Sequence, residues 1–174
     1  WPSWEFVHHT SRAWAVDGHR LCEPTQAWRL PDGSRARLWR DLTKGSGVQY
    51  AQFSADGGRW QPAFRSDVPD AYSRAAAGNL ADGTAYLVHN PGAGRDPLVL
   101  SLAADGLHFD RHAVIAHTAP ARRYDGHAKG RGFQYPRAVV HNDSLFVLYS
   151  VNKEDMELAE VPLDGLQELP RSGA

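Results

Sequence analysis

Three arginines, Arg40, Arg74 and Arg95, are the side chains of this chain best suited to hold an anion. A guanidinium presents paired donors in a rigid fork that matches a carboxylate or a sulfate. Each also has a plainer use: Arg40 can pair with Asp41 or another acid, and Arg95-Asp96 can simply close a turn. Glu23, just before Pro24, is the preferred carboxylate for acid/base work, and Asp41 is the candidate second. Either can instead orient an arginine, the favoured reading for Asp41. Tyr135 precedes Pro136, which holds it extended at the start of a strand. A neighbouring cation or carboxylate would tune it as nucleophile or acid/base, and a packed tyrosine is the alternative. Asn90, Gln134 and Lys153 complete the polar candidates for binding. Lys153-Glu154-Asp155 reads as a solvated charged run.

Metal and cofactor chemistry find little support. His8 and His9 are adjacent, and on a strand they point to opposite faces, so they cannot readily chelate one ion. His127, with Lys129 nearby, is kept as a candidate acid/base. No glycine-rich phosphate loop precedes a helix, no Gly-x-Ser-x-Gly elbow occurs, and Cys22 has no obvious paired histidine. No cofactor and no metal are expected.

The elements that must position these groups come from a recurring unit. Leu30-Pro31-Asp32-Gly33 leads into Arg35 to Arg40, and Leu80-Ala81-Asp82-Gly83 leads into Ala85 to Asn90. Asp56-Gly57 and Asp105-Gly106 mark a second turn in each copy. A looser third copy runs through Asn142-Asp143 and Asp164-Gly165. Asp-Gly and Asn-Asp pairs supply the residues tight hairpins need, because Gly and Asn tolerate positive φ. Periods of about 50 residues built from short strands mean propeller blades or a similar array. The expected strands are 26–30, 35–40, 48–54 and 59–63; then 75–80, 85–90, 98–102 and 108–114; then 137–141, 145–150, 157–161 and a weak last strand near Gln167. Residues 1–25 would end a preceding blade, with strands at 4–9 and 13–16. The blades then span 26–72, 73–131 and 132–174, an all-β chain of four-stranded antiparallel blades, about three and a half of a larger propeller.

Bulk properties set the outer limits. The 174 residues include 42% hydrophobic and 22% charged residues, and the formal charge is −1. That balance offers no global field for nucleic acid or an anionic membrane, and no apolar run of about 18 residues spans a bilayer. One cysteine excludes an internal disulfide. The chain opens on Trp1-Pro2 without a signal-peptide pattern, so it reads as a fragment whose missing part would complete the propeller. Export, to the periplasm or beyond, stays open.

Ser54-Ala55-Asp56-Gly57-Gly58-Arg59-Trp60 resembles the Asp-box of sialidase-like propellers, Ser-x-Asp-x-Gly-x-Thr-Trp, with one residue missing before the Trp. Together with Cys22-Glu23-Pro24-Thr25, Leu38-Trp39-Arg40-Asp41, Pro69 to Arg74, Arg95-Asp96-Pro97-Leu98, Gly132 to Pro136 and Tyr149 to Asp155, it makes the chain similar to the bacterial sialidase-like BNR repeat family from residue 22 onward. The Asp-box itself is structural in that family. The resemblance implies a carbohydrate substrate, and a carbohydrate-active enzyme, a glycoside hydrolase on a terminal or acidic sugar. The alternatives are a polysaccharide lyase on a uronate-containing glycan, or a non-catalytic glycan- or protein-binding propeller. The complete arginine triad, Tyr/Glu pair and acidic loop residue of an exo-sialidase cannot be placed here. If the first strand of each blade starts on one face, then Glu23, Arg40, Asp41, Arg74, Asn90, Arg95, Gln134, Tyr135 and Lys153 all converge on that face. Polar groups gathered at the mouth of an apolar repeat are the pattern of a ligand site.

Overall fold

The Asp-Gly turns form as their chemistry requires. In the computed structural model, which describes residues 14–43 and 45–172, Asp32 Oδ1 accepts the Ser34 amide at 2.9 Å, and Asp82 Oδ1 accepts the Thr84 amide at 2.9 Å. Gly33 and Gly83, at φ 86° and 90°, bond back to Leu30 and Leu80. The second turns repeat the device. Asp56 Oδ1 takes the amides of Gly58 and Arg59, and Asp105 Oδ1 those of Leu107 and His108. The expected strand at 4–9 and the His8-His9 pair lie outside the described residues.

These turns fold the chain into three antiparallel sheets. The first holds β1 (Trp14–Val16), β2 (His19–Cys22), β3 (Trp28–Arg29), β4 (Arg35–Asp41), β5 (Val48–Ser54) and β6 (Phe64–Pro69). The second runs β10 (Arg111–Ala116), β9 (Leu98–Ala103), β8 (Ala85–His89), β7 (Ala76–Asn79), and the third runs β11 (Phe133–His141), β12 (Ser144–Val151), β13 (Asp155–Pro162). β2 and β3 pair with opposite ends of β4, so they act as one innermost strand interrupted at residues 23–27. The innermost strands β3, β7 and β11 contact one another in order.

β11 begins at Phe133, four residues before its expected start, and the unexpected strand β2 ties residues 14–22, expected to end a preceding blade, into the first sheet through β4. Three further elements differ from expectation. The last strand of the first sheet is Phe64–Pro69, not 59–63, because Asp56 holds residues 57–59 in its turn and Gln61 bonds back to Phe53 before the chain extends. In the second sheet the outer strand starts at Arg111 for a similar reason. Near Gln167 there is no strand of the third sheet. The chain makes a short 3-10 turn over Leu166–Glu168 and crosses to the second sheet, where Arg171 bridges Arg111. Gln167 Nε2 donates there to Asp82 Oδ2 at 2.7 Å, and Ser172 N donates to Asp110 O at 2.6 Å.

Alternation along the strands builds the core. Tyr86, Val88, Leu98, Leu100 and Leu102 of the second sheet close on Leu145, Val147, Tyr149 and Val151 of the third. Ala75, Ala77, Ala85 and Leu87 close on Trp28, Leu30, Ala36 and Leu38 of the first. β8 and β9 are buried along their whole lengths, as strands covered on both faces must be. Each such leucine contributes roughly 1.5–3 kcal/mol of burial. Trp60 lies under the Arg37 guanidinium, 3.9 Å from its ring centre, and Arg37 Nε donates to Gln52 Oε1 at 2.9 Å. His89 is buried and shares a chain of hydrogen bonds with Ser101 and His112.

Candidate active site

One backbone turn recurs ahead of β3, ahead of β7 and early in β11. Glu23, Tyr72 and Tyr135 hold positive φ, 48°, 54° and 53°, immediately before Pro24, Ser73 and Pro136. Tyr135 is therefore not extended: the β11–β12 register slips between Gln134 and Arg137, and Tyr135 sits in that bulge. Pro136 suits the bulge because it lacks the N–H a ladder would need. A side-chain-bearing residue in this region is strained, and side-chain acceptors hold two of these amides. Tyr72 N donates to Asp70 Oδ1 at 2.7 Å, and Tyr135 N to Ser73 Oγ at 3.3 Å.

The turned backbone at Tyr72 brings its carbonyl to two guanidiniums. Arg40 Nη1 donates to Tyr72 O at 2.8 Å and Arg95 Nη2 at 2.5 Å. Arg40 Nε also lies 3.0 Å from Glu23 Oε2 and 3.2 Å from Cys22 Sγ. Arg95 Nη1 donates to Gln134 Oε1 at 2.5 Å. These groups surround Tyr135. Its ring centre is 5.9 Å from the Arg40 guanidinium, 5.6 Å from that of Arg95 and 5.2 Å from Lys153 Nζ. Burial by itself would raise the phenol's pKa, but the charges of Arg40, Arg95 and Lys153 outweigh it and lower the value below 10. The groups line a cavity of about 300 Å³, closed on one side by Ala128, Lys129 and Gly130.

That wall belongs to the loop between β10 and β11, and the charged run after β12 holds it. Glu154, its side chain 2% exposed, accepts the amides of Arg123 and Tyr124 at about 3 Å and the Lys129 ammonium at 2.8 Å. Those bonds hold its pKa down at about 2. Asp155 pairs with Arg123 at 2.6 Å, and Lys153 Nζ donates to Ala128 O at 2.7 Å. The run expected to be solvated is a clip.

Among the expected site residues, Arg40, Arg95, Tyr135 and Lys153 meet at the cavity, with Glu23 at its edge on Arg40. Asp41 contributes to the lining, but its carboxylate is occupied. It accepts the amides of Thr43 and Ser46 and a bond from His19 Nδ1, and these overcome burial to keep its pKa well below the carboxylate range. Gln134 is fully buried between Arg95 and the Gly130 carbonyl, so it orients the arginine. Asn90 is buried too, bridging the Pro97 and Phe133 carbonyls. Arg74 stands outside the cavity lining, and its Nε is shut from solvent without an acceptor. His127 is exposed on the loop. The Tyr72 carbonyl escaped the sequence reading, and Lys129 entered it only as the neighbour of His127, with the lining residues Leu42, Ala128 and Gly130 not singled out. Aligning Tyr72-Ser73-Arg74 with Tyr135-Pro136-Arg137 would have exposed the carbonyl.

The described residues hold no cluster of three His, Cys, Asp or Glu side chains able to bind a metal. Comparison with known families matches the BNR repeat-like domain to residues 2–148. No curated protein matches the chain.

Proposed function

The chain belongs to the BNR repeat-like family, and on that footing we propose that it is part of a propeller-built carbohydrate-active enzyme, a glycoside hydrolase acting on a terminal or acidic sugar. One observation carries this reading: Arg40, Arg95 and Lys153 surround a single tyrosine in one cavity. Arg95 and Lys153 form no ion pair with an acid among the described residues, so they are the cations available to an anionic sugar substituent. The same charges favour the Tyr135 phenolate, the form that attacks. In the proposed reaction Glu23 takes the phenol proton and returns it to the leaving oxygen as Tyr135 bonds to the anomeric carbon. Water then breaks that bond, its hydroxyl going to the sugar and its proton to the phenolate.

A lyase is favoured by one detail, the engagement of Asp41, which leaves Glu23 as the carboxyl at the cavity where hydrolysis ordinarily uses two. Tyr135 would then remove the proton beside a uronate carboxylate held by Arg95 and Lys153. The Tyr135 hydroxyl so formed returns the proton to the leaving oxygen as the carbon–oxygen bond breaks, and a carbon–carbon double bond remains. The test incubates the protein with acidic and neutral glycans while following reducing ends and the ultraviolet absorbance of an unsaturated uronide. Reducing ends without absorbance establish hydrolysis, absorbance establishes elimination, and saturable binding without either product leaves a binding propeller. In either enzyme Tyr135→Phe lowers kcat at least about 100-fold.

A further inference from the structure

Beside the cavity, the repeat delivers a second pair of arginines. Tyr72-Ser73-Arg74 leads into the innermost strand of the second sheet and Tyr135-Pro136-Arg137 lies early in that of the third, each with its tyrosine at positive φ. The two segments touch, because Tyr135 N donates to Ser73 Oγ. Arg74, just ahead of β7, and Arg137, within β11, are thus carried by touching segments, and β7 contacts β11. Neither arginine has an ion pair with an acid among the described residues, and Arg74 Nε is sealed from water with no acceptor. Burying a guanidinium N–H unpaired costs free energy, and setting a second cation beside it adds to that cost. Burial first, and then the charge of Arg137, lower the pKa of Arg74, with only Glu23 opposing them.

We propose that Arg74 and Arg137 form an anion subsite separate from the Arg95–Lys153 cavity, so that the ligand is a glycan carrying anionic groups on more than one sugar. The proposal deepens the carbohydrate reading and rests on it for the word glycan, while the anion subsite stands on the arginines alone. Glu23 is linked to both clusters, paired with Arg40 and with its charge felt by Arg74. A chain bound along the innermost strands places one acidic group at each cluster.

The side-chain N–H resonances of arginine allow a test that needs no turnover. Inorganic sulfate is titrated into the protein at constant ionic strength, with chloride as the control, and the Arg74 Nε–H signal is followed. The expected result is a saturable shift with sulfate and none with chloride. Binding weakens at least tenfold in Arg137→Ala, is partly restored in Arg137→Lys, and is unchanged in Lys153→Ala. A shift that chloride reproduces, or one indifferent to Arg137→Ala, overturns the subsite. In a second arm trigalacturonate competes with sulfate. Displacement from Arg74 with simultaneous perturbation of Arg95 supports the two-cluster ligand, and perturbation of a single cluster, or of neither, overturns it. Failure of the carbohydrate reading itself would show differently, as no product and no saturable glycan binding with the sulfate shift intact.

Discussion

The two ends of the sheets use carboxylates differently. At the end with the Asp-Gly turns, Asp32, Asp56, Asp82 and Asp105 accept amides two or three residues further along. At the cavity end, Asp41 and Asp70 also take local amides, but Asp70, Asp96 and Glu154 accept amides 22 to 31 residues away. A local bond forms whenever its turn forms, whatever the rest of the chain does. A distant one must also offset the loop closure that brings its partners together. The turn end is therefore self-supporting, and the cavity end exists only once the sheets have assembled around it.

The sharpest way to break this comparison is to put one methyl group at each end. A Cβ on Gly132, where φ is 118°, would fall 2.4 Å from the Arg95 carbonyl oxygen, the atom that accepts the Phe133 amide at 2.7 Å. Gly132→Ala should cost about 3 kcal/mol or more and distort Arg95. Gly83→Ala, in a turn with nothing within 4 Å of the added carbon, should cost only about 1 kcal/mol of backbone strain. Equal melting temperatures for the two variants would undo the distinction. Next is Asp70→Ala, which strips the Asp41 and Tyr72 amides of a buried acceptor and should cost about 2 to 3 kcal/mol by denaturant titration.

Glu154→Ala should leave the core intact and free the tip of the loop. Tryptic cleavage after Arg122, Arg123 or Lys129 should rise at least about tenfold, and KM should rise more than kcat falls. The pH dependence has a definite sign. The folded pKa lies below the ordinary 4.5, so the contribution is full above that value and is lost as the pH falls toward about 2. The Arg123 and Tyr124 amide resonances should move in that window and stay fixed from pH 5 to 7. The smallest effect belongs to Asp56→Ala, an exposed turn whose loss should shift the melting temperature by no more than about 2 °C. A loss as large as that of Asp70→Ala would mean the local turns are not self-supporting.

The same contrast explains what could be read from the amino acids. Strands β4, β5, β8 and β9, and the four Asp-Gly turns, depend on neighbours in sequence, and each lies within one residue of its expected limits. Arg40, Arg95, Tyr135 and Lys153 were legible as a group because the repeat fixes which strand ends coincide. Asp41 and Gln134 were not distinguishable from ligand-binding groups, since their partners are amides and carbonyls that carry no signature of residue type. Glu154 misled for the same reason: a carboxylate serving distant amides looks like any surface acid. The φ of Tyr135 ran against the usual extended preference before proline, because Ser73, 62 residues earlier, holds its amide.

The crossing of the final residues to the second sheet has a consequence for the order of events during synthesis. Each hairpin can close soon after it leaves the ribosome, since its contacts are close in sequence. Gln167 reaches back to Asp82 and Thr84, 85 and 83 residues earlier, and Arg171 to Arg111. The second sheet thus waits for the last residues before its turn and outer strand are fastened. Protection of β10 from hydrogen exchange should be acquired late in refolding, and lost first on unfolding.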